Sequence, residues 1–251
     1  MKKCIWCKKD EETTTFEKKA HSIPLSLGGM NFNRNVCDEC NKFFGFTLDD
    51  YSYSIEEALK ETLCISRERL LNRETAKRKV GSFKSKFFDV KDRNGKLRLS
   101  LKKNIFLNYE YQRGLCHNFK KGLIKMWFEE YSRQNPNLDI YSDKFDYIRN
   151  FARYNSHDIP IYYFNRKLPI FLLKKNEAET PRLIFNRSTI YLQNENYFEF
   201  EFLGQVFGFP ISSLSDVELT ENLKESLELK KTLFKDCVEI KKIFDIDFLL
   251  M

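Results

Sequence analysis

The spacing of apolar residues predicts helices in four parts of the chain. Residues 55–79 and 115–132 both carry apolar side chains at helical spacing, and Pro136 lies just beyond the end of the second segment. We also expect a shorter helix near residues 141–154 and a further helix over residues 216–235. The expected apolar side of the second helix consists of Leu115, Phe119, Leu123, Met126, Trp127 and Tyr131.

A second pattern, rich in aromatic and β-branched residues, predicts strands between residues 159 and 209. Asn94-Gly95 separates two alternating runs, which is typical of a tight β-hairpin. Residues 1–48 contain short, turn-rich stretches and no long periodic segment. A segment of this size buries little surface, so something other than a large core must stabilise it.

These patterns predict an α+β fold in which a small N-terminal module precedes a mixed helix and antiparallel-sheet domain. We place the module at residues 1–54 and a basic connector of helix and hairpin at residues 55–105. Residues 106–251 are then an α+β domain whose role the pattern does not define.

Composition narrows the class of protein. The chain of 251 residues is 42% hydrophobic and 31% charged, so it can bury a core and is not disordered throughout. It has no apolar run of about 18 residues, so we expect no membrane span. The first residues, MKKCIWCKKDEE, lack the apolar centre of an export signal. Seven cysteines without such a signal predict a reducing, cytoplasmic setting.

The net charge of +7 is distributed unevenly. Residues 66–103 carry fourteen Lys and Arg against four Asp and Glu, a local excess of +10. Such a segment is typical of proteins that bind the phosphate backbone of nucleic acids, although a solvated helix face followed by a lysine-protected hairpin edge would look the same. The candidate nucleic-acid contacts are Arg73, Lys77, Arg78, Lys79, Lys84 and Lys86.

Two C-x2-C pairs, Cys4 with Cys7 and Cys37 with Cys40, indicate a metal site. Each pair turns two thiolates towards one point, so two pairs complete a tetrahedral Cys4 zinc site that would supply folding energy to a small module. A redox dithiol and cysteines paired by accident are the alternatives. The remaining cysteines, Cys64, Cys116 and Cys237, lie on apolar faces and are expected in the core.

The loop between the cysteine pairs resembles the HNH endonuclease family, which has a ββα-metal fold. The resemblance covers roughly residues 4–50 and is closest to members braced by two C-x2-C knuckles. It is carried by His21-Ser22-Ile23-Pro24, Ser26-Leu27-Gly28-Gly29, Asn35-Val36, Cys37-x2-Cys40-Asn41 and Gly45. The resemblance implies hydrolysis of phosphodiester bonds with a divalent ion, Mg2+ or Mn2+, in addition to structural Zn2+.

The resemblance also implies roles for single residues. His21 is the one histidine of this segment and would be the general base. A histidine that binds zinc, or one that only stabilises the loop, would show the same sequence pattern. Asn41 would open a helix and bind the catalytic ion, and Asn35 would orient the base, with Asn33 as its competitor. The other histidines, His117 and His157, are expected to be structural or at the surface.

The chain departs from the family at Ala20, where an acidic residue usually binds the metal. Alanine cannot bind a metal, so another group replaces it or the site is degenerate. The candidate replacements are Glu17, Asp38, Asp49 and Asp50, with Asp49 preferred although it also suits the N-cap of the next helix.

We therefore expect a metal-dependent DNA endonuclease acting on duplex DNA, with bacterial or phage defence as its setting. The alternative is a zinc-stabilised binding or regulatory protein with a dead nuclease site, and RNA as substrate stays open. Residues 106–251 could form a homodimer or bind a protein partner, and we expect no membrane partner.

Overall fold

The computed structural model describes residues 2–46, 53–63, 66, 87–93, 96–103, 108–168, 181–185, 190–242 and 245. In these residues the helices are α1 (Asp38–Gly45), α2 (Ile55–Thr62), α3 (Tyr109–Gln134), α4 (Asp146–Ala152) and α5 (Asp216–Lys230). The strands are β1 (Ala20–His21), β2 (Phe32–Asn33), β3 (Phe88–Arg93), β4 (Lys96–Leu101), β5 (Tyr162–Arg166), β6 (Leu183–Ile184), β7 (Tyr197–Phe202), β8 (Gln205–Pro210) and β9 (Phe234–Glu239). The predicted α+β class is confirmed.

Strands β1 and β2 form an antiparallel pair that brings Asn33 back beside Ala20. The loop between them contains a 3-10 turn over Leu25–Leu27 and closes at Gly28, whose φ of 85° favours glycine. At Gly29 a Cβ atom would lie 1.9 Å from the carbonyl oxygen of Ile23, so no larger residue fits. The pairing places His21 opposite Phe32.

Helix α1 begins at Asp38, three residues earlier than the expected opening at Asn41. Cys37 is the N-cap, because its sulfur accepts a hydrogen bond from the backbone N–H of Cys40. Asp38 and Glu39 occupy the first turn, where negative charge is favourable. Asn41 therefore lies inside the helix rather than at its start.

Helix α3 lies at the centre of the molecule and is longer than the predicted segment. It starts after the cap Asn108 and ends at Gln134, and its C-cap Asn135 is followed by Pro136. Nearly all of its residues from Gly114 to Glu130 are buried, including polar ones. The prediction of one apolar side with a solvated opposite side is therefore corrected. The close approach of α2 explains part of this, because a Cβ at Gly122 would lie 2.9 Å from the Cβ of Leu59.

The C-terminal region forms an antiparallel sheet in the order β6-β7-β8-β5-β9. The predicted helix over residues 216–235 is confirmed as α5, with a capping box between Ser215 and Glu218, but it ends at Lys230. Residues 234–239 form β9 instead, because they complete the edge of β5, where Phe164 pairs with Cys237. The short helix expected near residues 141–154 is confirmed as α4.

Strands β3 and β4 confirm the predicted hairpin, with Arg93 paired to Lys96. The turn residues Asn94 and Gly95 lie outside the described residues. Helix α2 confirms the start of the predicted 55–79 helix. Of the later part of that segment, residues 64–65, with Cys64, and residues 67–79 lie outside the described residues. Across the described ranges, no helix is long and apolar enough to cross a membrane.

One hydrophobic core joins the N-terminal segment to the rest of the chain. The ring of Trp6 lies 4.8 Å from that of Phe44 on α1 and 4.9 Å from that of Phe128 on α3. Trp127, the neighbour of Phe128 on α3, lies 4.9 Å from Phe209 on β8. The small N-terminal segment is therefore stabilised partly by α3, which the sequence pattern did not predict. The domain boundaries stay a prediction.

Candidate active site

The four cysteines of the two knuckles form one cluster, as predicted. Their sulfur atoms all lie within 4.8 Å of one another, and Cys7 Sγ is 3.7 Å from Cys37 Sγ. A tetrahedral zinc ion with Zn–S bonds of about 2.3 Å needs sulfur atoms about 3.8 Å apart. The arrangement of thiols therefore fits such an ion. Of the other cysteines, Cys116 is buried, as expected for a core residue, and Cys237 is half-buried against a second hydrophobic cluster.

Hydrogen bonds among the thiols shift the pKa values of the cluster in opposite directions. Hydrogen bonding to Cys37 raises the pKa of the Cys4 thiol to about 12, and the pKa of Cys40 is also raised, with Cys37 again the main cause. The pKa of Cys37 is lowered, because the Cys4 and Cys40 thiols donate to its thiolate. The crowded thiols thus favour a single thiolate in the absence of a cation, and a divalent cation would allow the others to ionise.

His21 lies half-buried on β1, with its ring 6.3 Å from that of Phe32. Burial lowers the pKa of His21, and the positive charges of Lys125 and Lys19 add to this effect. The backbone of Lys19 and the carboxylate of Glu56 act in the opposite direction and are weaker in sum. A histidine with a lowered pKa is neutral at pH 7, so its ring can accept a proton.

The three asparagines of the motif differ in their surroundings. Asn33 is buried, donates a hydrogen bond of 2.8 Å to the carbonyl oxygen of Glu129 on α3, and accepts one of 2.8 Å from the backbone N–H of Asn35. The backbone carbonyl of Asn35 in turn accepts a hydrogen bond of 2.8 Å from Ile5 in the first knuckle. Asn33 therefore ties the loop to α3, while Asn35 and Asn41 are half-buried. Their catalytic roles stay predictions.

Ala20 is buried and pairs with Asn33, so this position offers no metal ligand. Of the expected replacements, Asp38 accepts hydrogen bonds from the Thr15 hydroxyl (2.6 Å) and from the backbone N–H of Lys18 (2.8 Å). Burial alone would raise the pKa of Asp38, but these hydrogen bonds lower it. Asp38 therefore stabilises the loop before β1 through its hydrogen bonds to Thr15 and Lys18. Glu17 is exposed. The other candidates, Asp49 and Asp50, lie outside the described residues.

A buried ion cluster, which the sequence did not predict, contacts the backbone of His21. Lys125 on α3 is fully buried and donates a hydrogen bond to the backbone carbonyl of His21. Its Nζ also lies 3.0 Å from Glu56 on α2 and 3.2 Å from Glu129, which accepts a hydrogen bond of 3.0 Å from the indole of Trp6. The available signal was the Lys125–Glu129 pair at i,i+4 within an apolar segment.

Replacing Lys125 by methionine should destabilise the protein by about 3–5 kcal/mol, because the buried Glu129 would lose its counter-ion. Chemical denaturation monitored by tryptophan fluorescence measures this free energy of unfolding. As a control, Lys224→Met alters an exposed lysine on α5 and should change it by less than about 0.5 kcal/mol. Equal stability of the two variants would contradict a structural role for the ion cluster.

Comparison with known proteins supports the resemblance found in the sequence. The family model described as HNH endonuclease matches residues 4–54, about a fifth of the chain. The matched segment contains the cysteine cluster, the β1–β2 pair and α1, and it ends just before α2. No curated protein and no solved structure matches the chain. The HNH resemblance is thereby confirmed for residues 4–54.

Proposed function

We propose that this protein is a metal-dependent endonuclease that hydrolyses phosphodiester bonds of duplex DNA. The observation that carries the proposal is the match of residues 4–54 to the HNH endonuclease family. The setting we propose is the bacterial or phage-infected cytoplasm, in defence against foreign DNA. The reducing compartment suits the cysteines that the proposal assigns to zinc, and the role in defence is proposed from the HNH resemblance alone.

Each part of the proposed site has a separate task. The ring of His21 accepts the proton of the attacking water, and Asn35 orients that ring. Asn41 contributes an amide oxygen, the kind of ligand that Mg2+ and Mn2+ prefer. When bound, the divalent ion neutralises charge on the scissile phosphate and the leaving oxygen. The four cysteines hold Zn2+ and so fix the loop that carries these residues.

Exposed basic residues lie next to the proposed site residues in the chain and suit a phosphate backbone. They form a cationic rim, which consists of Lys18, Lys19, Arg34 and Lys42. Two of them flank the ring of Phe32 opposite His21: Lys19 Nζ lies 5.2 Å from its centre and the Arg34 guanidinium 5.9 Å. Contacts of this kind position a nucleic acid without reading its sequence. We propose that the basic segment extends this surface, with Arg73, Lys77, Arg78, Lys79, Lys84 and Lys86, which lie outside the described residues.

Cleavage of labelled oligonucleotides tests the proposed substrate. The zinc-loaded chain is incubated with Mg2+ or Mn2+ and either duplex DNA or duplex RNA of the same sequence. Cleavage of DNA that requires added Mg2+ or Mn2+, and is absent when the zinc-loaded chain is incubated without either, supports the proposal. Cleavage of RNA alone would contradict the choice of DNA, and no cleavage of either would contradict the nuclease.

The rate of cleavage should rise with pH and reach its plateau before pH 6.5, the ordinary pKa of histidine, because burial lowers the pKa of His21. Below its pKa the ring is protonated and cannot act as a base, so the rate falls about tenfold per pH unit. Single-turnover rates between pH 5 and 8 measure this profile. A rate that still rises tenfold between pH 7 and 8 would contradict His21 as the base.

Ala20 favours a second candidate function, a zinc-stabilised nucleic-acid-binding or regulatory protein without catalysis. In that case DNA should bind through the cationic rim with an affinity that falls steeply with salt, and no cleavage should follow in any divalent metal. Residues 106–251 would then serve for a homodimer or a protein partner. The oligonucleotide experiment separates the two functions.

A further inference from the structure

An acidic side chain from outside the matched segment is joined to the strand of His21 through the buried Lys125. Glu56 belongs to the first turn of α2, just after the segment that the HNH family model covers. Its side chain is 26% exposed, so one side faces solvent while the other faces the buried ion cluster. The sequence pattern gave no reason to consider it, because it follows the motif on a separate helix.

The two carboxylate oxygens of Glu56 have different surroundings. Oε1 lies 3.0 Å from Lys125 Nζ, and this ammonium also donates to the backbone carbonyl of His21. Oε2 lies 3.9 Å from the position that a Cβ on Gly45 would occupy. Gly45 is four residues after Asn41 on α1, so both belong to one face of that helix. Oε2 therefore lies beside the last turn of α1, one turn after Asn41, while Lys125 joins Oε1 to the strand of His21.

The charges around Lys125 leave Glu56 as the carboxylate available to a cation. Glu129, the other acid on Lys125, is fully buried, and this burial raises the pKa of its carboxyl to about 7. Glu56 retains contact with solvent, and its charge is felt at the ring of His21, where it acts to raise the pKa. The lysine fixes one oxygen of Glu56 in place, and no described residue donates a hydrogen bond to the other.

We propose that Glu56 supplies the carboxylate ligand of the catalytic divalent ion, together with Asn41, in place of the acid that Ala20 lacks. This assignment rests on the proposed nuclease function. It is consistent with the chemistry of the two donors, since carboxylate and amide oxygens suit Mg2+ and Mn2+. Among the described candidates, Asp38 already accepts hydrogen bonds from Thr15 and Lys18. Glu17 does not take part in the Lys125 ion cluster that joins Glu56 to the strand of His21.

Binding of Mn2+ to the zinc-loaded full chain, measured by isothermal titration calorimetry, tests the assignment without an activity assay. Glu56→Gln keeps the shape of the side chain and should weaken Mn2+ binding at least tenfold, since even outer-shell partners of a metal cost 10–100-fold, as an order-of-magnitude guide. The matched control is Glu17→Gln, which should change the affinity by less than about twofold. A smaller loss in Glu56→Gln, or an equal loss in Glu17→Gln, overturns the proposal.

A direct measurement separates a ligand from a residue that merely holds Lys125. Crystals of the zinc-loaded chain soaked in Mn2+ should show an anomalous peak at bonding distance from Glu56 Oε2, about 2–2.3 Å. A peak bound by Asp49 or Asp50 without Glu56 overturns the proposal.

The two proposals can fail separately. If His21→Ala abolishes cleavage and Glu56→Gln binds Mn2+ normally, the nuclease stands and the assignment of Glu56 fails. If the wild type binds Mn2+ through Glu56 and cuts no nucleic acid, the metal site stands and the nuclease fails.

Discussion

Removal of zinc is expected to unfold the N-terminal segment of the chain. Structural zinc contributes about 10–16 kcal/mol in zinc-finger peptides, which matches or exceeds the roughly 5–15 kcal/mol that stabilises a whole domain. Without the ion, the crowded thiols of the cluster favour a single thiolate, as the raised pKa of Cys4 indicates. Because Trp6 packs against Phe128, loss of the segment also exposes one face of α3.

Cys40→Ser removes one of the four sulfur ligands and should have the same effect as chelation. Circular dichroism measures the unfolding temperature of each variant, and elemental analysis measures its zinc content. The wild type should hold one zinc per chain. The control Cys116→Ser alters a buried cysteine outside the cluster and should retain that zinc. Zinc well below one per chain in the wild type, or a Cys40→Ser variant as stable as Cys116→Ser, would contradict the zinc assignment.

His21→Ala is expected to lower the rate of cleavage by about 10²–10⁴-fold, the usual contribution of a general base. The substitution removes the ring and keeps the backbone carbonyl that accepts the hydrogen bond from Lys125, so the loop should stay in place. Unchanged zinc content and unfolding temperature would show this. His157→Ala is the matched control, because that histidine stacks on Tyr147 at a distance from the site's contacts. Its rate should equal that of the wild type.

The parts of the fold that the sequence predicted correctly depend on local patterns. The periodicity around Trp127 identified α3, the Asn94-Gly95 signal identified the β3–β4 hairpin, and the C-x2-C spacing identified the cysteine cluster. In each case the residues that decide the structure are close together in the chain. The residue types themselves limit the geometry that such a short segment can adopt.

Long-range contacts explain what the sequence did not predict. Residues 234–239 form a strand because they pair with the open edge of β5, which no local pattern reveals. The burial of Lys125 and Glu129 depends on Trp6 and Glu56, which reach them from the N-terminal segment and from α2. Glu56 could not be recognised at the site for the same reason. Its position follows from the packing of α2 against α3, and a single sequence gives no sign of that packing.

The central claim is that His21 and a divalent ion make this chain a nuclease, and nicking of supercoiled plasmid tests it most directly. The zinc-loaded wild type, His21→Ala and His157→Ala are compared at equal concentration and pH in Mg2+ or Mn2+. The account predicts metal-dependent nicking by the wild type and His157→Ala, and a rate at least about 100-fold lower for His21→Ala. Absence of nicking by the wild type, or an undiminished rate in His21→Ala, would contradict it.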